Sequence, residues 1–168
     1  MKKENGFSLI ELLIVVVIIG IIAAIAIPTL LASRRASNEA SAISSLRVYH
    51  SAQATYATTY GAGNFAGVPF VTNAFVTLGA VNLVDSTLAA GNKAGYAFAG
   101  HSDPKTATTP ACHLAQAYPL TGSGITATGT RIFVIATEGT MYAGPWTGAA
   151  GWGPGDCDIA AGLTPLAN

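Results

Sequence analysis

The chain has 168 residues, with eight Lys+Arg against eight Asp+Glu; charged residues are 10% of the total, where a typical soluble domain has about a quarter. With 51% hydrophobic residues and a mean hydropathy of +0.46, this composition excludes a disordered, highly charged chain and a basic nucleic-acid binder with a global positive field. Charges this sparse make a poor free surface, so much of the chain is expected to be covered by lipid or by other copies of itself.

The first six residues, Met1 to Gly6, form a short polar leader with Lys2, Lys3 and Glu4. From Leu12 to Leu31 no charge occurs, and Thr29 is the only polar side chain. As a helix at about 1.5 Å per residue this run is roughly 30 Å long, the thickness of a hydrocarbon core. It is too long for a cleaved secretory signal, and no polar region separates it from the residues after Leu31. Glu11 stands at its edge, where an ionised group in lipid is costly and usually functional. Gly20 and Pro28 interrupt the run; proline removes a helical hydrogen bond and predicts a kink.

The stretch Gly6-Phe7-Ser8-Leu9-Ile10-Glu11, continued through the apolar run to Pro28 and Leu31, resembles the processing site of type IV pilins and type II secretion pseudopilins. The resemblance covers residues 1–60 and is looser beyond them. It implies that a membrane-bound prepilin peptidase cuts between Gly6 and Phe7 and that the new amine of Phe7 is N-methylated. It also implies a single pass through the inner membrane, N-terminus inside, before an assembly platform adds the subunit to a helical homo-oligomeric filament. Phe7, Glu11, Gly20 and Pro28 are the assembly residues on this reading. The Phe7 amine of one subunit is the counter-charge for Glu11 of its neighbour, a register lock because a mismatch leaves an uncompensated charge costing several kcal/mol. In filaments of similar pilins the helix is lost between the positions of Gly20 and Pro28.

Residues 32–60 continue the helix, since Ala32 to Tyr60 contains no Gly and no Pro. Ala42, Leu46, Tyr49, Tyr56 and Tyr60 fall on one stripe, read as the contact to a head domain, and Arg34, Arg35, Asn38, Glu39, Ser41 and Arg47 read as polar surface. Helix from Phe7 to Tyr60 is 54 residues, roughly 80 Å, so its apolar half is expected to project. Gly61-Ala62-Gly63 ends it. Two short helical turns are expected, over Phe75 to Leu78 and over Val84 to Ala90, the second capped by Asp85 or Ser86. Strands are expected over Gly95 to Phe98, Leu114 to Leu120 (placed at an edge by Pro119), Arg131 to Ile135 and Thr140 to Tyr142, with a turn at Glu138-Gly139. The fold class is α+β: a long N-terminal helix packed on a small antiparallel meander. The boundaries are a leader at 1–6, a membrane or filament-core helix at 7–31, an amphipathic helix at 32–60 and a head at 61–168.

Cys112 and Cys157 lie 45 positions apart, which is no zinc motif; in an exported chain they are expected to form a disulfide that ties down a Gly- and Pro-rich C-terminal segment, with Trp146 and Trp152 packing it. Type IV pilins often carry such a C-terminal bond, so the pairing favours a pilus subunit over a pseudopilin. His50, His101 and His113 are scattered, and His101-Ser102-Asp103 reads as a polar loop. Asp156 and Asp158 offer two carboxylates for calcium, but no EF-hand loop is present. The match of Gly61, Gly63 and Ala66 to a dinucleotide fingerprint follows a helix rather than a strand and fails. Thr106 to Pro110 is an exposed loop that glycans can modify, and Lys93, Lys105 and Arg131 are the basic residues able to form a local patch. No catalytic residue, cofactor or metal is expected, and no nucleic acid is the default partner. The reading is a structural filament subunit at the cell surface, in adhesion or motility; the alternatives are a type II secretion pseudopilin or a minor or competence pilin that binds DNA or surfaces.

Overall fold

The computed structural model describes residues 7–69, 71–148, 157–159 and 161–166. Its first element is a helix, α1, over Leu9–Thr59, assigned without a break through Gly20 and Pro28. The Ser8 carbonyl opens it by accepting from the amides of Glu11 and Leu12 at 3.1 and 3.2 Å. Pro28 has no N–H to give to the preceding turn, yet the helix carries on, because one missing bond inside a long ladder is tolerable where the flanking turns are complete. Past Thr59 the amides of Gly61 and Gly63 bond back to the carbonyls of Tyr56 and Ala57, and Ala62 and Gly63 turn the chain with positive φ angles of 48° and 88°.

Two units divide the chain, one ending at Arg34 and one starting at Arg35. In the first, every large apolar side chain from Leu9 to Leu30 is exposed by 48 to 82%. An all-round apolar helix with this exposure is made for lipid or for neighbouring helices, not for water.

The second unit contains the rest of α1, two short helices and a sheet. These are α2 (Ala74–Ala80) and α3 (Ser86–Ala89), then β1 (Asn92–Lys93), β2 (Tyr96–Asp103), β3 (Cys112–Pro119), β4 (Arg131–Ala136), β5 (Met141–Pro145) and β6 (Thr164–Pro165). Sheet order equals chain order and every pairing is antiparallel, a meander. Asp85 caps α3, its carboxylate accepting from the Leu88 amide at 2.9 Å. No apolar alternation marks Asn92-Lys93 as a strand. It forms one because Ala94 and Gly95 both take positive φ, 49° and 75°, and so make the two-residue hairpin that pairs Lys93 with Tyr96.

The expectation that Pro119 puts β3 at an edge is overturned: β3 lies between β2 and β4. Pairing with β4 covers only Leu114–Ala117, so Pro119 sits past the doubly bonded stretch and its missing N–H costs no bond on that side. His101 and Asp103 likewise belong to β2 rather than to a loop.

Side chains alternate between the two faces of the sheet, and both faces are covered. Phe98, Ala115, Phe133 and Ile135 pack towards Ala42, Leu46 and Tyr49 of α1 and towards Phe75, Leu78 and Leu88 of the short helices. Leu114, Ile132 and Val134 point the other way, under Trp146, Ile159 and Leu163. Gly100 is what lets α1 settle on β2: a Cβ there meets the Tyr49 hydroxyl at 3.0 Å and the Ala115 Cβ at 3.2 Å. The tyrosine stripe is only partly the head contact. Tyr49 is fully buried and Tyr56 is half-buried, but Tyr60 is 59% exposed, because it lies beyond the end of the helix.

Candidate functional site

Phe7 and Ser8 precede the first helical turn, which holds Glu11. Phe7 is 76% exposed, Glu11 is exposed, and among the described residues Glu11 has no ion pair. A carboxylate at the head of an all-round apolar helix is thus presented outward with its charge uncompensated among the described residues. Gly20 is open, with nothing within 4 Å of where a Cβ would lie. Gly6 lies outside the described residues, as do Trp152 and Asp156; the pairing of Asp156 with Asp158 is therefore not described.

The polar series on the second half of α1 is no mere solvent face. Glu39 is only 7% exposed and accepts from the Thr130 amide and hydroxyl at 3.0 and 3.2 Å and from Arg131 Nε at 2.9 Å, with Arg131 Nη2 at 2.7 Å. Burial pushes its carboxyl pKa up, but these donors outweigh burial and hold it below the usual value. Arg35 donates to the carbonyls of Gly124 and Ala127, and Asn38 to that of Thr128, so one turn of α1 fastens the whole β3–β4 loop. The signal for this was available: Glu39 is three residues before Ala42 and so shares its stripe. A second clamp is Gln53, fully buried, which donates to the Ala66 carbonyl at 2.9 Å and accepts from the Ala66 amide at 2.7 Å.

The three histidines are not all scattered. His50 on α1 and His113 on β3 meet with ring centroids 5.2 Å apart, and His113 stands edge-on to Phe65 and Tyr49. Desolvation, with the neighbouring His50 adding to it, pushes the His113 pKa down to about 3. Among the described residues no hydrogen-bonding partner reaches Nδ1 of either ring.

Cys112 and Cys157 form the expected disulfide, with Cα atoms 6.2 Å apart. It pins the segment around Ile159 and Leu163 over the outer face of the sheet, where Trp146 stacks on Tyr118 at 5.0 Å. Asp103 Oδ2 lies 3.9 Å from Cys112 Sγ and 3.6 Å from Cys157 Sγ; these are contacts and not hydrogen bonds, since a disulfide sulphur carries no proton. His101 is beside them, its pKa lowered by burial and raised less by the Asp103 charge.

Lys93 pairs with Asp85 at 2.8 Å, Arg131 with Glu39 of α1, and Lys105 donates to the Ala62 carbonyl at 3.3 Å, so each of the three basic residues is engaged within the chain. Thr106, Thr108 and Thr109 form an exposed loop bonded largely within itself.

This geometry defines a class: a chain with an exposed apolar N-terminal helix that carries a single carboxylate in its first turn and leads into an α+β meander head. Residues 1–27 match the prokaryotic N-terminal methylation motif. Over 39 residues, 23% of the chain, it is 56% identical to the type IV wide pilus major component PilA4 of Thermus thermophilus. Over 54 residues, 32% of the chain, it is 44% identical to the type IV major pilin protein PilA of Myxococcus xanthus. The matched segments span 30% and 24% of those relatives' own lengths. No solved structure matches the chain.

Proposed function

We propose that this protein is the repeating structural subunit of a type IV pilus-like filament and has no catalytic role. The observation that carries the proposal is the exposed all-round apolar helix from Leu9, with Glu11 in its first turn, within the matched methylation motif. Residues 1–6 are a leader removed by a prepilin peptidase between Gly6 and Phe7, and Phe7 is then N-methylated. Residues 7–31 hold the subunit in the inner membrane and later form the filament core, residues 32–60 join that helix to the head, and residues 61–168 build the filament surface outside the cell. An inner-membrane assembly platform adds subunits one at a time.

Glu11 sets the register. In a low-dielectric core its carboxylate is tolerable only with an opposite charge at bonding distance, and the Phe7 amine of the neighbouring subunit supplies it. Gly20 and Pro28 are the points at which α1 gives way in the assembled filament, since each weakens the ladder locally. The C-terminal disulfide favours a pilus over a secretion pseudopilin.

Intact-mass measurement on filaments sheared from cells tests the reading. The expected mass is that of the chain from Phe7 onward, with the net CH2 of one N-methylation and without the two hydrogens lost in the disulfide. A mass that retains residues 1–6, or the absence of this chain from sheared filaments, overturns it.

A further inference from the structure

The outer face of the sheet carries a cluster that has no part in the proposed assembly residues. His101 and Asp103 are two apart on β2, so both point to the same face. Cys112 is the register partner of Asp103 across the β2–β3 ladder and shares that face. Cys157 arrives from the C-terminal segment. One ligand atom each from His101, Asp103 and Cys157 lie within 4.8 Å of one another, and Asp103 Oδ2 is 3.6 and 3.9 Å from the two sulphurs. In a tetrahedral zinc site, with bonds of about 2.0–2.3 Å, neighbouring ligand atoms stand about 3.3–3.8 Å apart.

We propose that in its dithiol form this cluster is a binding site for a zinc-class divalent cation, held by Cys112, Cys157, His101 and Asp103, and that the metal and the disulfide are alternative fasteners of the C-terminal segment.

The chemistry of the donors decides the class of ion. Two thiolates with one imidazole and one carboxylate suit Zn2+ or Co2+ and not Ca2+ or Mg2+, which take oxygen. The disulfide form cannot bind in this way, because each sulphur has given up the charge that makes it a ligand. A dithiol reductant converts one form to the other. Its two thiols become a disulfide, and its two electrons and two protons leave Cys112 and Cys157 as thiols. Metal binding then displaces one proton from each thiol and forms two sulphur–metal bonds. Oxidation reverses the sequence: the thiolates lose two electrons to an acceptor disulfide, the sulphur–sulphur bond re-forms and the cation leaves. Three of the four ligands are fixed by one antiparallel pair, so little of the site has to be organised when the metal arrives. The fourth, Cys157, is the anchor of the segment that covers Leu114, Ile132 and Val134, so the ion restores the cover that reduction releases.

The test uses the full chain in detergent, reduced with a phosphine, freed of reductant and titrated anaerobically with Co2+. The expected result is one Co2+ per chain, with the strong visible bands of a tetrahedral ion and a near-ultraviolet thiolate charge-transfer band. The untreated disulfide form is expected to show neither band. His101→Ala and Asp103→Asn should each weaken binding roughly tenfold or more; Cys112→Ser should lower the thiolate band, and replacing both cysteines by serine should abolish it. Zn2+ should also slow proteolysis of the segment beyond Trp146 in the reduced chain and have no effect on the disulfide form. Three results overturn the proposal: a spectrum typical of octahedral Co2+, equal binding by the disulfide form, or His101 and Asp103 variants that bind as tightly as the parent, which reduces the site to two loose thiols. A reduced head that has lost the sheet by circular dichroism and binds no metal also counts against it.

Discussion

His113 shows how a single side chain can tie stability to pH. It is 1% exposed, wedged between Phe65, Tyr49 and His50, with its pKa pushed from the ordinary 6.5 down to about 3. The unfolded chain takes up a proton below about 6.5 that the folded chain refuses until about pH 3, so the stability this ring contributes is complete above 6.5 and is lost as pH falls through that window. Between pH 6.5 and 4.5 the loss approaches about 2 kcal/mol. His101 is lowered too and adds in the same direction, whereas Glu39, held below the ordinary carboxylate value, gives up its share only at lower pH. Melting temperature is therefore expected to drop by several degrees from about pH 7 to pH 4.5, and His113→Leu is expected to flatten most of that slope. An unchanged slope in the variant removes His113 from the account.

At the scale of elements, the sheet has two coverings of different kind. The inner one is α1, fastened by large buried side chains and by the Glu39 and Gln53 clamps. The outer one is a Gly- and Pro-rich segment whose described apolar anchors are Trp146, Ile159 and Leu163, and a covalent tie holds it. Replacing both cysteines by serine removes a closure spanning 45 positions, which corresponds to roughly 3–4 kcal/mol in the chain-entropy model. The expected outcome is a lower melting temperature with the α1–sheet core intact, and fast hydrogen exchange confined to the segment after Trp146 and to β6. Exchange that rises equally in α1 would show that the two coverings are one cooperative unit.

For the whole molecule, the proposed filament role makes assembly depend on one carboxylate. Glu11→Ala is expected to leave the head folded and to make membrane insertion easier, as a charge leaves an apolar segment. What should fail is addition to the filament, because the neighbouring Phe7 amine loses its counter-charge. Immunoblots of membranes should show processed subunit accumulating, and electron microscopy of sheared material should show few filaments or none. Glu11→Gln keeps size and hydrogen bonding and should fail in the same way. Abundant, regularly packed filaments from either variant would show that apolar packing sets the register without the charge.

Much of this molecule is legible along the chain because the signals are local. Twenty uncharged residues, an unbroken Ala-rich continuation and a Gly-x-Gly stop are enough for α1, and alternation with turn glycines is enough for β4 and for the start of β2 and of β5, though not for the half of β2 that holds His101 and Asp103. The motif around Phe7 and Glu11 is contiguous, so it can be recognised before any fold is known. The head's polar architecture cannot, because its partners are far apart in the chain: Glu39 meets Thr130 and Arg131 across more than 90 positions, and His50 meets His113 across the helix–sheet interface. The same holds for His101 and Asp103. Read singly they are polar residues near a proline; their place beside both sulphurs comes from strand register and from the path of the C-terminal segment. Periodicity tells which face of a helix or strand is apolar, but which partner a buried charge finds depends on where distant segments pack.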